Sequence, residues 1–137
     1  MWWIYALLSA LFAALTAVFA KKGVTHINSD LATAIRTVVI LFAAWAIVAF
    51  RGGISTINQL TNKNWLFLVL SGLATGLSWI FYFKALQLGK VSQVAPVDKL
   101  SVALAIILSV VFLGEVLTPK MVIGATLIIA GTIVLIF

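Results

Sequence analysis

The chain has very little of what disulfide-rich proteins, metalloproteins and most enzymes depend on. None of its 137 residues is cysteine, one is histidine and 3 are acidic, and charged residues of both signs make up only 9%. The lack of cysteine excludes disulfides, thiol metal sites and redox centres. His26, alone in a polar connection, excludes a histidine-based metal or catalytic cluster. We therefore expect no enzymatic activity, no cofactor and no metal site.

Apolar residues, by contrast, are in large excess. They make up 64% of the chain, whereas soluble domains contain about 45–50%. A soluble domain of this size has no interior large enough for so much apolar surface, so lipid must cover much of it. The net charge of +6 comes from 9 scattered basic residues with no run beyond Lys21–Lys22, which argues against a nucleic-acid partner. We predict a single integral membrane domain over residues 1–137.

Five runs are long and apolar enough to cross a bilayer. The hydrocarbon core is about 30 Å thick and takes roughly 20 helical residues. The runs predict helices at about 2–20, 31–50, 65–86, 94–113 and 119–137. Helices are required because an open sheet would leave backbone groups unpaired in lipid. The predicted fold is an all-α bundle of five transmembrane helices.

The connections carry helix start and stop signals. N-caps are expected before the second, third and fifth spans, at Asn28–Asp30, at Thr61 or Asn62, and at Thr118–Pro119. Left-handed C-caps are expected at the three glycines that follow the second, third and fourth spans, which are Gly52, Gly89 and Gly114. The longest connection, residues 51–64, has apolar residues at helical spacing and is expected to hold one interfacial turn.

An odd number of spans puts the two chain ends on opposite sides of the membrane. Three basic residues lie in the loops or at the span ends on the N-terminal side, and four lie there on the other side, Lys21, Lys22, Lys84 and Lys90. Arg36 and Lys99 lie within spans but nearer the second side, and counting them gives six against three. By the positive-inside rule, the count of three against four gives almost no preference, and the count of six against three mildly favours an external N-terminus. We predict insertion in both orientations.

Arg36 lies one to two turns inside the second span. A charge at bilayer depth costs on the order of 2.5–3.5 kcal/mol and needs a partner or a water-filled cavity. Two interpretations remain open for Arg36. It is either a packing residue bonded to helix-end carbonyls or a cation that faces a substrate.

Asp98 is the only acidic residue expected within the membrane. Pro96 is predicted to be the first residue of the fourth helix, which places Asp98 in the first turn, where the helix dipole favours an anion. Alternatively, Asp98 is the titratable group of a proton-coupled cavity. Neighbouring residues on a helix do not face one another, so Asp98 and Lys99 are expected to have different partners.

The third span has a polar stripe. Ser71, Thr75, Ser78 and Tyr82 recur at spacings of four, three and four residues, and Trp79 adjoins them. Asp98 and Ser101 continue the polar pattern on the fourth span. These residues are interpreted either as hydrogen-bonding contacts between helices or as the lining of a cavity between the third and fourth spans.

The last span carries no charge inside the membrane and has small residues on one face. Gly124 and Gly131 lie seven residues apart on that face, with Ile128 between them. Small residues allow helices in lipid to approach closely. This pattern predicts a packing or dimerisation helix rather than part of a pathway.

Several motifs, in their order and spacing, resemble the EamA repeat of the drug/metabolite transporter superfamily. They are Phe81–Leu86 (FYFKAL), Gly89, Ala95–Val97 (APV), Phe112–Glu115 (FLGE), Thr118 and Gly124–Gly131 (GATLIIAG), with weaker matches at Lys21 and Arg36. Most members of that superfamily resemble two such repeats, fused and inverted to give ten spans. The resemblance therefore implies that this chain is one half of a ten-helix transporter, and that a second copy supplies the other half.

The resemblance also implies a function. Members export or exchange small metabolites such as amino acids, or drug-like molecules, across the inner or plasma membrane. The last span is also similar to the dimerising helix of the four-span small multidrug resistance transporters. However, the glutamate that those transporters need in their first span has no counterpart here, which puts their proton-coupled export of cations in doubt.

We therefore predict a secondary transporter that works by alternating access as an antiparallel homodimer in the lipid bilayer. The residues expected to bind the small-molecule substrate are Arg36, Ser71, Thr75, Trp79, Tyr82, Asp98, Lys99 and Ser101, and the dimer contact is expected at Gly124, Ile128 and Gly131. Because basic side chains outnumber Asp98, the substrate is expected to be zwitterionic or anionic. The alternatives are a non-transporting membrane subunit, or a half-transporter paired with a different single-repeat protein.

Overall fold

The computed structural model describes residues 1–137, and all of its regular secondary structure is helical. The α-helices are α1 (Trp2–Gly23), α2 (Ser29–Phe50), α3 (Asn62–Leu88), α4 (Val91–Asp98), α5 (Leu100–Leu113) and α6 (Pro119–Ile136), and a 3₁₀ helix covers Gly53–Gln59. Taken together, α4 and α5 form one candidate span, so five helical segments are long and apolar enough to cross a membrane. The predicted all-α, five-span fold is confirmed, and so is the turn in the longest connection.

The helices extend beyond the predicted apolar runs by up to three residues. Helix α1 continues through Lys21 and Lys22 to Gly23, and α3 begins at Asn62. Hydropathy reports the thickness of the hydrocarbon layer, whereas a helix ends where its terminal backbone groups find other partners. The polar ends of α1 and α3 are therefore helical but lie outside the apolar windows.

The N-caps lie where the sequence predicts them. The Asn28 side-chain oxygen accepts the backbone N–H groups of Asp30 at 2.7 Å and Leu31 at 3.3 Å. Thr118 accepts the N–H of Met121 at 3.3 Å. Before α3 the cap is Thr61, whose hydroxyl oxygen accepts the N–H of Asn64 at 3.2 Å. These bonds satisfy N–H groups that have no partner inside the helix.

The prediction for the helix C-termini is right at two of three glycines. Gly52 (φ 72°) and Gly114 (φ 70°) are left-handed, whereas Gly89 is not. Only two residues separate α3 from α4, and Lys90 is extended (φ −78°, ψ 144°) because it is the N-cap of α4. This short connection passes directly into the next helix, without a left-handed residue. The connection after α1 instead places His26 in the left-handed region (φ 73°).

The chain divides into two compact units. The first, residues 20–87, contains the end of α1, α2, the 3₁₀ helix and most of α3. Its buried residues cluster where α1 ends, α2 begins and α3 ends; they are Ala20, Val24, Ser29, Ala32, Thr33, Phe83 and Leu86. Beyond this packed end, nearly all of α2 after Arg36 and all of α3 before Gly76 are exposed. Within a membrane, lipid or another helix has to cover that apolar surface.

The second unit comprises residues 1–19 and 88–137 and includes α4, α5 and α6. Its best-buried polar side chain is Thr132 on α6, with 4% of its surface exposed. The Thr132 hydroxyl donates to the carbonyl of Ile128 on its own helix at 2.8 Å and contacts the carbonyl of Pro96 on α4 at 3.2 Å. A hydroxyl between two carbonyls thus joins α6 to α4.

The predicted position of Pro96 is wrong. Helix α4 begins at Val91, so Pro96 lies inside it, and Asp98 is its last residue rather than part of a first turn. Proline has no N–H to donate to the carbonyl four residues earlier, and its ring disturbs that turn. Helix α4 accordingly ends two residues later, and Lys99 separates it from α5. The helix dipole at a first turn therefore does not explain Asp98.

The bond between Thr132 and Pro96 predicts a difference between two similar variants. Thr132→Val is expected to lower the free energy of unfolding by about 1 kcal/mol, because one hydrogen bond between helices is lost at nearly constant volume. The matched control is Thr126→Val, since the exposed Thr126 hydroxyl donates only to Val122 of its own helix at 2.9 Å. Unfolding by SDS in detergent micelles, followed by circular dichroism, measures both. Equal losses in the two variants would contradict a contribution from the contact with Pro96.

Candidate functional site

Arg36 lies on the one face of α2 that packs within the first unit. Ser29, Ala32, Thr33 and Arg36 are spaced so that they share this face, and the first three are buried while Arg36 is half-buried. Helix α2 begins at Ser29, so Arg36 lies seven residues, or about 10 Å, along it. The arginine is therefore inside the span and at the edge of the packed end.

Two aromatic rings on α3 face the Arg36 guanidinium. Its central carbon lies 4.3 Å from the centroid of the Phe83 ring and 5.4 Å from that of the Trp79 ring. Trp79 and Phe83 are four residues apart and therefore share a helix face. The Tyr82 ring meets the Phe83 ring edge to face, with centroids 5.7 Å apart and planes at 78°. The negative faces of such rings attract a cation, most strongly where water is excluded.

The guanidinium lacks a full set of hydrogen-bond acceptors. Its Nη1 atom is buried and has no hydrogen-bond partner, so it does not bond to the helix-end carbonyls that the first interpretation of Arg36 required. A buried donor on a charged group that makes no hydrogen bond costs at least about 1–3 kcal/mol. The aromatic rings attract the charge but do not replace the missing acceptor. The contacts of Arg36 are those of a cation without a counterion.

Asp98 and Lys99 pair with each other, which contradicts the prediction of separate partners. The Lys99 ammonium donates to the Asp98 carboxylate at 3.3 Å, and the side chains are 57% and 35% exposed respectively. The rule that neighbouring helical residues diverge does not apply here, because α4 ends at Asp98 and Lys99 lies in the break before α5. Ser101, two residues further on, is exposed. No three His, Asp or Glu side chains lie close enough together to share a metal ion.

The polar stripe of α3 is exposed over most of its length. Ser71, Thr75 and Ser78 are exposed and Tyr82 is half-buried. The Thr75 hydroxyl donates to the carbonyl of Ser71 at 2.9 Å, within its own helix. Arg36, Trp79 and Tyr82 therefore come together in the first unit, with Ser71 and Thr75 on earlier turns of the same helix. Residues 98, 99 and 101 belong to the second unit, and a cavity shared by the third and fourth spans stays a prediction.

Sequence reasoning missed the residues that close the packed end of the first unit. The Lys21 ammonium donates to the carbonyl of Leu86 at 2.6 Å. The Gln87 amide donates to the carbonyls of Val24 at 3.3 Å and Ile27 at 2.8 Å. We call these bonds the clasp. The clasp satisfies carbonyls at or beyond the ends of α1 and α3, so a polar side chain near each of these ends was the available signal. Phe83 was also missed, although it lies four residues after Trp79.

The predicted dimer face of α6 is divided between packed and open surface. Gly124 and Ile128 are half-buried, whereas Gly131 is exposed. A Cβ atom added at either glycine would meet nothing within 4 Å, so both positions leave room for a close helix neighbour. The dimer contact itself stays a prediction.

Known proteins similar to this chain are transporters. Residues 1–137 match the EamA-like transporter family. A Sinorhizobium sp protein named "Uncharacterized transporter in cobO 3'region" is 55% identical over 134 residues, which are 98% of this chain and 95% of that protein. No solved structure matches.

Proposed function

The chain belongs to the EamA-like transporter family, and from this premise we propose that it is a secondary transporter that exports or exchanges small metabolites, such as amino acids, or drug-like molecules. The chain is a multi-pass membrane protein with five spans, and the inner or plasma membrane is the proposed location. The name of the 55% identical relative also supports transport. The proposed activity is movement of a solute rather than catalysis.

The observation that carries this proposal is the environment of Arg36. An ionisable side chain inside a membrane span is expensive, and such residues usually line a substrate or ion pathway. An arginine with a purely structural role is expected to have its N–H groups satisfied by fixed partners. The buried Nη1 atom of Arg36 has none, which favours a partner that arrives and leaves, as a transported substrate does.

The proposed assembly is an antiparallel homodimer. Five spans place the chain ends on opposite sides of the membrane, so a second copy must be inverted to form a ten-helix pair of opposed repeats. The match covering 95% of the relative indicates that it too is only about one repeat long. The exposed apolar surface of α2 and α3 provides area for a second copy to cover. In such pairs the substrate binds near the midplane between the repeats, and rocking gives alternating access.

Proton coupling is proposed to involve Asp98. Asp30 lies in the first turn of α2 and Glu115 between α5 and α6, which leaves Asp98 as the acid within a span. It lies at the break between α4 and α5, and broken helices line the binding sites of many secondary transporters. Protonation of Asp98 would release Lys99 from their ion pair, and a change of partners at that break would accompany the transport step.

Efflux from proteoliposomes tests the proposal. Vesicles containing the purified protein and loaded with a mixture of labelled amino acids and organic acids are expected to lose at least one component faster than empty vesicles. Arg36→Met is expected to slow that efflux at least about tenfold, because the charge that meets the substrate is gone. Lys84→Met also removes a basic residue from the third span, but Lys84 is exposed near the helix end, and its efflux is expected to stay within about twofold of wild type.

Two outcomes would count against the proposal. Retention of every component at the rate of protein-free vesicles would contradict transport and favour a non-transporting subunit. Equal slowing by Arg36→Met and Lys84→Met would show that Arg36 has no specific part in binding.

A further inference from the structure

The neighbours of the Arg36 guanidinium are aromatic rings, and they include no hydrogen-bond acceptor for its buried Nη1 atom. Arginine remains charged at any physiological pH. The Phe83 and Trp79 rings lie 4.3 and 5.4 Å from its central carbon. Aromatic rings attract a cation through their faces, but they are poor acceptors for the N–H groups that radiate in the guanidinium plane. No acceptor in the structure meets the buried Nη1 atom.

The acids of the chain do not fill this position. Asp98 is occupied by Lys99 at 3.3 Å. Asp30 is on the same helix as Arg36 but six residues away, which puts it on a different face. Glu115 lies in the connection between α5 and α6, and the ion pair of the structure joins Lys99 to Asp98 rather than Glu115 to Arg36. The counterion of Arg36 must therefore come from outside this chain.

We propose that Arg36 binds the carboxylate of an organic monoacid, with Trp79 and Phe83 holding the guanidinium so that its edge meets the ligand. This assignment names the substrate class of the proposed transport function and rests on it. The planar fork of arginine matches a carboxylate with two parallel N–H···O bonds. A carboxylate also supplies the acceptor that the buried Nη1 atom lacks.

The residues around Arg36 also determine which second charged group the site accepts on its ligand. No carboxylate lies beside Arg36, Trp79, Tyr82 or Phe83 to pair with an ammonium group. An amine on the substrate therefore finds no counterion at this site, and a substrate with an amine but no carboxylate is repelled by Arg36. The aromatic rings favour an apolar body next to the carboxylate. Carboxylates with an apolar side chain are the expected substrates, whether or not they carry an amino group.

A set of ligands that share one skeleton tests the proposal directly. Phenylalanine, 3-phenylpropionate and phenethylamine differ only in which charged groups they retain. Equilibrium dialysis of the purified, delipidated full chain in detergent is expected to show saturable binding of 3-phenylpropionate, comparable binding of phenylalanine, and no saturable binding of phenethylamine. Saturable binding of phenethylamine, or binding of phenylalanine but not of 3-phenylpropionate, would overturn the proposal.

Variants then assign the binding to Arg36. Arg36→Gln is expected to weaken 3-phenylpropionate binding about 10- to 100-fold, the effect of losing a charged hydrogen-bond partner. Arg36→Lys keeps the charge but not the fork and is expected to be intermediate. Lys84→Gln, a loss of charge on the exposed surface of the same helix as Trp79, is expected to bind as wild type does. Unchanged binding in Arg36→Gln would overturn the proposal. The comparison with phenethylamine uses the wild-type protein, so it tests the proposal even if a variant does not fold.

A lipid phosphate is the other anion within reach of a membrane arginine. Addition of phosphatidylglycerol to the delipidated protein is expected to leave 3-phenylpropionate binding unchanged. Displacement of 3-phenylpropionate from the wild-type protein by that lipid would identify a headgroup as the ligand and overturn the assignment to a substrate. Carboxylate binding without any efflux would refute transport but not the binding site. Efflux of a cation without carboxylate binding would refute the binding site but not transport.

Discussion

A cysteine placed at the C-terminal end of this cysteine-free chain is expected to be labelled from outside the cell in about half of the molecules. Phe137→Cys is the natural choice, because Phe137 is fully exposed and no native thiol competes. Ser55→Cys, in the exposed 3₁₀ helix, reports the opposite side of the membrane. In a population with both orientations the two sites are each labelled in about half of the molecules, whereas in a fixed orientation one is labelled fully and the other not at all.

The expectation follows from the small free-energy difference between the two orientations. The loops and helix ends on the two sides carry three and four basic residues, and orientation responds to the Lys and Arg bias near the ends of the spans. An impermeant maleimide applied to intact cells gives the external fraction, and permeabilised cells give the total. Labelling of all or none of the molecules at Phe137→Cys would exclude the antiparallel homodimer and favour pairing with a different protein of opposite orientation.

Added charge provides a control for this experiment. Asn58 and Gln59 are exposed in the 3₁₀ helix, so lysines there increase the positive charge on one side without disturbing a buried contact. Asn58→Lys with Gln59→Lys is expected to lower external labelling at Ser55→Cys and to raise it at Phe137→Cys. A shift of both sites in the same direction would indicate a change in reagent access rather than in orientation.

Phe83→Ala is expected to have the largest effect on stability among single substitutions in the packed end of the first unit. The Phe83 side chain is completely buried, and its removal leaves a cavity that its neighbours do not fill. In a water-soluble core the loss is about 3–5 kcal/mol. In a membrane a side chain that loses its packing meets lipid rather than water. The free energy of transfer from water therefore contributes little to the loss, and the lost van der Waals packing remains. With the lost contact to the Arg36 guanidinium added, about 2–3 kcal/mol is expected.

The matched control for Phe83→Ala is two residues away. Phe81 is the same residue type on the same helix but is 72% exposed, and Phe81→Ala is expected to change the free energy of unfolding by about 0.5 kcal/mol or less. SDS unfolding in micelles measures both variants. Similar losses would mean that the packing of this helix end does not depend on Phe83. Of these two variants, efflux is expected to fall only in Phe83→Ala, since the Phe83 ring faces Arg36 and Phe81 is exposed.

The parts of the fold that were predictable from the sequence are those that local chemistry determines. The five spans follow from runs of apolar residues, and the caps at Asn28, Thr61 and Thr118 follow from side chains that bond to backbone groups two or three residues away. The position of Pro96 was not predictable from the apolar pattern. Helix α4 starts at Val91, directly after its extended N-cap Lys90 and five residues before the proline, although apolar residues dominate only from Val94 onward.

The sequence allowed several residues of the candidate site to be identified, but not the contacts between them. Arg36 was identifiable because a charge is unusual in lipid, Trp79 because it adjoins the polar stripe of the third span, and Tyr82 because it ends that stripe. Phe83 was overlooked because one more phenylalanine in an apolar chain carries no distinguishing signal. The bonds of Lys21 and Gln87 join residues more than 59 positions apart, and no periodicity within one helix reports a pairing of that kind.

The carbonyl of Pro96 is contacted by polar groups from two different segments of the chain. The backbone N–H of Lys99 reaches it at 3.0 Å, and the hydroxyl of Thr132 on α6 at 3.2 Å. Because one oxygen contacts both the break between α4 and α5 and the neighbouring helix, bending at the break and displacement of α6 are coupled for as long as both contacts hold. A tilt of α5 large enough to open a path through the membrane therefore carries α6 with it, or first breaks the bond to Thr132.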